Sequence, residues 1–275
     1  MGGKLYIVAT PIGNLEDITL RAIKILGQVD MIAAEDTRHT LGLLNHLEIS
    51  KPLISYYKQV ENSKSDKLIE MLLEGKNIAL VSDAGTPGIS DPGEVIIKKA
   101  IENNIEVIPI PGACAMVNAL IASGLSTKQF VFIGFLPVNN GEKREILKNL
   151  KYETKTLIFY EAPHKIKNTL STIYEKFGDR ECVLARELTK IHEEFLRGNI
   201  SKILEGIEEP KGEFVILIEG NNKTEEEYNK EKLNEKTLEE HYLYYEKQGL
   251  EKKEIIKQIA KDRNVSKNEI YKQFI

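Results

Sequence analysis

Twelve consecutive residues, Ser82-Asp83-Ala84-Gly85-Thr86-Pro87-Gly88-Ile89-Ser90-Asp91-Pro92-Gly93, hold three glycines and two prolines. They follow a short apolar run, Ile78-Ala79-Leu80-Val81. Such a loop at the end of a strand has a stiff backbone that a small ligand can approach closely. It lacks the lysine of a phosphate-binding loop and is not G-x-G-x-x-G, which argues against a Walker-type site and the usual dinucleotide fingerprint. Asp83 and Asp91 suit hydrogen bonds from a ribose, and equally suit turns and helix caps. Thr10-Pro11-Ile12-Gly13-Asn14 and Pro111-Gly112-Ala113 are ordinary turn signals taken singly. Three such loops at one edge of one sheet would form a cleft.

Two polar clusters also stand at the ends of expected strands. Glu35-Asp36-Thr37-Arg38-His39 crowds ionisable groups at a strand-to-helix junction. Asp36 or Thr37 would cap the helix, or the paired carboxylates would serve proton transfer or substrate binding. Arg186-Glu187-Leu188-Thr189-Lys190-Ile191-His192-Glu193-Glu194 is the second cluster, again read as a loop after a strand. The two cysteines, Cys114 and Cys182, and the five histidines match no metal-ligand spacing, so no metal is expected.

The elements that must position these loops alternate in type. Strands are expected at 5–9, 31–34, 52–56, 77–81 and 105–110, with helices from Asp17, over 37–47, 65–74, 94–102 and 115–123. Short, continuously apolar strands separated by helices imply a parallel sheet covered on both faces, whose ligands bind beyond the carboxyl ends of its strands. A second α/β region follows, with strands expected at 130–135, 156–160, 181–185 and 214–218 and helices over 142–150 and 164–177. The fold class is therefore α/β in two domains, 1–125 and 126–222, with the join near 125–129. A Lys/Glu/Asn-rich helical tail over 223–275 would end in a helix, a turn at 264–266 and a second helix.

The chain has 275 residues, 29% of them charged, with a net charge of −4. It is too apolar to be disordered, and no apolar run approaches the ~20 residues of a membrane helix. The start of the chain shows no secretory pattern, so a cytoplasmic setting is expected. The acidic balance argues against a protein that coats nucleic acid by bulk charge. That balance divides unevenly: residues 1–125 hold 11 basic and 15 acidic residues, whereas positions 143–190 hold 11 and 7. Lys143, Arg144, Lys148, Lys165 and Lys167 belong to this basic stretch, which would be either a solvated face or a phosphate-facing stripe.

Taken in order, Thr10 to Asp17, Glu35 to Arg38, Ser82 to Gly93 and Pro109 to Ala113 resemble the tetrapyrrole-methylase superfamily, and within it the ribosomal RNA small subunit methyltransferase I family. Glu161-Ala162-Pro163-His164, Arg186 to Lys190 and Lys211 to Phe214 match that family in the second domain. The resemblance implies two α/β domains with S-adenosylmethionine in the cleft between them, in a cytoplasmic homodimer. It implies 2′-O-methylation of a cytidine, conventionally 1402, in the 16S rRNA of the 30S subunit. Cofactor contacts carried over are Pro11, Ile12, Asp83, Ala84, Gly85, Thr86, Ser90, Pro111, Gly112, Ala113, Tyr160, Ala185, Gly212, Glu213 and Phe214. Glu35 and Lys190 are the first candidates to act on the ribose hydroxyl, with Asp36, Arg38, Glu187 and Glu193 behind them. Lys143, Arg144, Lys148, Lys165 and Lys167 are the expected RNA contacts. A small-molecule methyltransferase acting on a tetrapyrrole or diphthine-type substrate is the alternative with the same fold.

Overall fold

The structure, a computed structural model, describes residues 2–207 and 210–274. The chain divides into two compact units, Met1–Leu147 with Thr156–Glu219, and Lys148–Lys155 with Gly220–Ile275.

The first unit opens with β1 (Lys4–Val8), α1 (Leu20–Gln28), β2 (Met31–Ala34), α2 (Thr37–His46), β3 (Leu53–Ser55), α3 (Glu61–Leu73), β4 (Ile78–Val81), α4 (Glu94–Glu102), β5 (Glu106–Ile110) and α5 (Ala115–Ser123). The strands form one parallel sheet in the order β3-β2-β4-β1-β5. Side chains alternate across a strand, so β1 and β4 each feed two cores. Leu5, Ile78 and Leu80 pack with Leu68, Leu72 and Ile96 on one face. Val8, Ala79 and Val81 pack with Ala22, Leu26, Ile32 and Leu44 on the other. Burial on both faces explains why β4 is apolar throughout. Leu20–Gln28 starts later than the sequence suggests because Thr19 caps it, its hydroxyl accepting from the Ala22 N–H.

The same unit continues with β6 (Phe130–Phe135), α6 (Asn140–Asn149), β7 (Thr156–Glu161), α7 (Ile166–Phe177), β8 (Glu181–Arg186), β9 (Glu194–Asn199), α8 (Ile200–Gly206) and β10 (Phe214–Ile218). Their sheet has the order β6-β7-β10-β8-β9. Only β6 and β7 run parallel; the other pairs are antiparallel. Strand β9 and helix α8 were not expected from the sequence. The α5 residues Ala119 and Leu120 pack with Ile12 against Ile158, Val183, Ala185, Val215 and Leu217. One cluster thus joins the loop after β1 to the inner face of the mixed sheet.

The second unit carries α9 (Glu225–Asn234), α10 (Leu238–Glu246), α11 (Lys252–Arg263) and α12 (Lys267–Tyr271). Ile255, Ile256, Ile259, Ala260 and Ile270 form its core with Leu238, Tyr242 and Tyr245. Asn264 ends α11 in the left-handed conformation, and Ser266 caps α12 through the Glu269 N–H. Among the described residues no helix is long and apolar enough to cross a membrane.

Candidate functional site

The loop after β4 is tied to the loop after β1 by a two-residue bridge. Thr10 N–H donates to the Gly85 carbonyl (2.8 Å) and Gly85 N–H returns to the Thr10 carbonyl (3.1 Å). The Thr10 hydroxyl adds a bond to the Ser82 carbonyl. Gly85 has φ +83°, and a Cβ there would lie 3.2 Å from the Ile12 methyl. Both constraints select glycine. The Asp83 carboxylate accepts from the Asp36 N–H at 2.9 Å, which binds this loop to the start of α2. The Thr86 hydroxyl donates to the Ala113 carbonyl at 3.0 Å, which binds it to the loop after β5. The three expected loops are therefore one hydrogen-bonded assembly at the carboxyl edge of the parallel sheet.

A cavity of about 410 Å³ opens beside them. Glu35, Asp83 and Asp91 supply carboxylates to its lining, and Tyr160, Phe135 and Phe214 supply rings. Burial, then the Asp91 and Asp83 charges, push the Glu35 carboxyl above its ordinary value. Burial and Asp83 likewise raise Asp91, against a hydrogen bond from Ser82. The Tyr160 hydroxyl accepts the Met116 N–H at 3.0 Å, and its ring meets Phe132 and Phe135 edge-on. Burial pushes its pKa up to about 12, so it stays a neutral phenol.

A second cavity of about 560 Å³ shares Ile12, Asp83, Ala84 and Glu213 with the first. Its other lining includes Pro11, Gly13, Arg38, His39 and Lys190. Lys190 Nζ donates to Glu187 Oε1 (2.9 Å) and Glu213 Oε2 (3.1 Å). Burial works against this ammonium, but the two carboxylates outweigh it and raise its pKa. Glu187 Oε1 also accepts the Glu213 N–H at 3.1 Å. A Cβ on Gly212 would fall 2.3 Å from the Glu187 carboxyl, so the carboxylate can sit there only over a glycine. Glu187 and Thr189 adopt positive φ without being glycine (51° and 67°), and Thr189 Oγ1 is buried without a partner among the described residues. Strain and an orphan hydroxyl in one short turn mark a segment held in shape by its surroundings.

The family profile of tetrapyrrole (corrin/porphyrin) methylases matches residues 4–204. The ribosomal RNA small subunit methyltransferase I of Halalkalibacterium halodurans is 50% identical over 98% of this chain and 93% of its own length. The protein of that name from Bacillus subtilis is 49% identical over 98% and 93%. This chain belongs to the tetrapyrrole methylase family, in its ribosomal RNA small subunit methyltransferase I branch. The fold recurs in a diphthine synthase (TM-score 0.61, 14% identity, 79% of this chain and 90% of that one). It recurs as well in a uroporphyrin-III C-methyltransferase from Thermus thermophilus solved with S-adenosyl homocysteine (TM-score 0.57, 17% identity, 78% and 97%).

Within this family member the sequence-derived positions separate. Ile12, Asp83, Ala84, Gly85, Thr86, Ser90, Tyr160, Glu213 and Phe214 line the 410 Å³ cavity, and Pro11 lines its neighbour. Pro111, Gly112, Ala113, Ala185 and Gly212 line neither; Ala185 is fully buried in the sheet core. Glu35 faces the first cavity, Arg38 and Lys190 the second. Asp36 lines neither: it caps α2 through the Arg38 N–H and grips the Arg38 guanidinium, which holds its pKa down to about 2. Glu193 accepts the Thr189 N–H at 2.6 Å and acts within its own turn.

Lys143 corrects the expected basic stripe. It is buried (4% exposed) in α6, where Nζ donates to the Thr169 hydroxyl at 3.1 Å. That hydroxyl donates on to Glu161 Oε2 at 2.6 Å, and Glu161 Oε1 accepts the Ala162 N–H. Glu161 lines the first cavity. A side chain so enclosed cannot meet a phosphate outside the protein. Arg144 is exposed but bonded to Glu175 at 3.4 Å; Lys148 and Lys167 are exposed and Lys165 half-buried. Asp91, read from the sequence as a candidate ribose acceptor, lines the first cavity, and so do Cys114, Ile89 and Pro163, outside the expected contacts. Each belongs to or abuts a motif quoted above, so their adjacency in sequence was the available signal.

Proposed function

We propose that this chain transfers the methyl group of S-adenosylmethionine to the ribose 2′-hydroxyl of a cytidine in 16S ribosomal RNA, position 1402 in conventional numbering. The observation that carries the reading is the pair of cavities sharing one wall, in a chain half identical to enzymes named for methylating small-subunit RNA. The residues of the 410 Å³ cavity suit the cofactor: carboxylates of Glu35, Asp83 and Asp91 meet a cationic ligand, and Gly85 lets the backbone come close. When bound, that group supplies an electrophilic methyl already activated by its sulfonium. The protein's part is then orientation and electrostatics.

The 560 Å³ cavity is the place for the acceptor nucleotide. Lys190 remains a cation between Glu187 and Glu213, so it acts by charge and hydrogen bonding and not as a base. Glu35, which lines the cofactor cavity beside Asp83 of the shared wall and has a raised pKa, is the group we assign to take up the hydroxyl proton. Arg38 and His39 stand where a backbone phosphate would pass. We place the protein in the cytoplasm as a homodimer. The exposed Val117 and Ile121 of α5 and Phe130 of β6 are the apolar side chains that a second copy would cover.

The test is incubation with labelled S-adenosylmethionine and, separately, 30S subunits, free 16S RNA and a tetrapyrrole, followed by nucleoside analysis. Label recovered as 2′-O-methylcytidine supports the reading. Label only on the tetrapyrrole, or on a nucleobase, overturns it.

A further inference from the structure

The second unit has a charge division that the methylation site does not use. Residues 223–251 hold five basic and nine acidic residues, net −4, while 252–274 hold seven and three, net +4. The positive part is α11, its turn and α12. The three acids there are each committed inside the unit. Glu254 Oε2 accepts the Glu251 N–H, and Glu269 Oε2 accepts from the Ser266 N–H and hydroxyl. Asp262 is buried and accepts from Tyr245 Oη (2.5 Å) and Gln258 Nε2 (3.1 Å).

Five of the six lysines are left outside, whereas Lys252 Nζ donates to the Phe274 carbonyl at 3.0 Å. Lys253, Lys257 and Lys261 are exposed and form no side-chain hydrogen bond or ion pair with any described residue; the same holds for Lys267 and Lys272. The first three recur every fourth residue, so they form one row with steps of about 6 Å along the helix. Tyr271 is 49% exposed on α12. The opposite side of α11, Ile255, Ile256 and Ile259, is spent on the unit's own core. A membrane surface would need that apolar side free. An evenly spaced cationic row with a flanking aromatic fits a sugar–phosphate backbone instead.

We propose that α11 and α12 form an RNA-docking surface in which Lys253, Lys257 and Lys261 contact consecutive backbone phosphates. The inference rests on the RNA-methylation reading for the identity of its partner. It assigns affinity, not chemistry, to this surface.

The experiment uses the full chain, its K253E/K257E/K261E variant and the charge-preserving K253R/K257R/K261R variant, each checked for an unaltered thermal melt and cofactor affinity. Methyl transfer to 30S subunits is measured across a salt series. Loss of three phosphate contacts lowers the slope of log affinity against log salt by roughly 2–3. The glutamate variant should show that shallower slope and a KM for RNA at least tenfold higher at low salt, with kcat unchanged. The arginine variant should behave as the wild type. Equal slopes in wild type and glutamate variant overturn the proposal. If the wild type methylates no ribosomal RNA, it is the methylation reading that fails. Anisotropy with a labelled 16S fragment then decides the docking surface by the same slope comparison. Equal affinity of the wild type for duplex DNA of the same length, or an effect of the variant confined to binding an acidic protein, overturns the assignment to RNA.

Discussion

The two sheets of the first unit reach the cavities by different means. The parallel sheet contributes loops after β1, β4 and β5, held by backbone and hydroxyl hydrogen bonds such as Thr10–Gly85 and Thr86–Ala113, with carboxylates as their charged lining. The mixed sheet contributes charge-linked groups: Lys190 between Glu187 and Glu213, and the buried chain Lys143–Thr169–Glu161. Rigid loops suit a small cofactor that must be gripped in one pose. The ion-paired Lys190 suits a polyanionic acceptor, because its charge can be shared with a phosphate, whereas the enclosed Lys143 serves only to hold Thr169 and Glu161. Both sheets nevertheless reach both cavities: the mixed sheet lends Phe135, Tyr160, Glu161 and Phe214 to the first and the Lys190 turn to the second, and the proposed donor and acceptor sites meet at the shared wall of Ile12, Asp83, Ala84 and Glu213.

The largest effect should come from the rigid side. Gly85→Val places a β-branched residue at φ +83° against Ile12, at a cost of roughly 3 kcal/mol. Calorimetry should show cofactor affinity down on the order of 100-fold. Next is the buried chain of the mixed sheet. Thr169→Val strands the Lys143 amino group, and chemical denaturation should show a loss of about 1–3 kcal/mol. Adding Lys143→Met should recover most of it; an additive double variant would break the chain as a unit.

A smaller effect concerns pH. Burial and neighbouring carboxylates raise Glu35 and Asp91, so in the folded protein each gives up its proton at higher pH than it would unfolded. Their ionisation costs stability as pH rises from the ordinary carboxylate range through the raised values. A cationic ligand favours the ionised pair. Its affinity should therefore fall as pH drops through those raised values, and Glu35→Gln should flatten the dependence. Titrations between mildly acidic and neutral pH check this; an unchanged profile in the variant would remove Glu35 from the lining charge. The smallest effect is Arg38→Ala. This exposed residue should raise the KM for RNA a few-fold and leave the melting temperature unmoved.

The parallel sheet was legible in the sequence because strands buried on both faces are uninterrupted apolar runs. Gly and Pro mark their ends, and Ile78–Val81 followed by Ser82 shows both signals. The mixed sheet was less so. Strand β9, Glu194-Phe195-Leu196-Arg197-Gly198-Asn199, has two apolar residues in six and lies at an edge, so it reads as charged loop. Lys143 read as a surface residue, solvated or facing a phosphate, because lysine nearly always lies at the surface. Only the tertiary placement of Thr169 and Glu161 explains its burial. Residues of the quoted loops line the cavities, whereas Phe135 enters the lining through packing that no local pattern encodes.

The division of donor and acceptor between two cavities is tested most directly by one calorimetric comparison. S-adenosylmethionine is titrated into the wild type and into Lys190→Met, a variant whose replaced side chain lines the second cavity and not the first. The account expects the two affinities to agree within about twofold, since a tenfold change needs 1.4 kcal/mol of contact that Lys190 does not supply. It expects methyl transfer by the variant to fall at the same time. A loss of cofactor binding in Lys190→Met as large as that in Gly85→Val would contradict it.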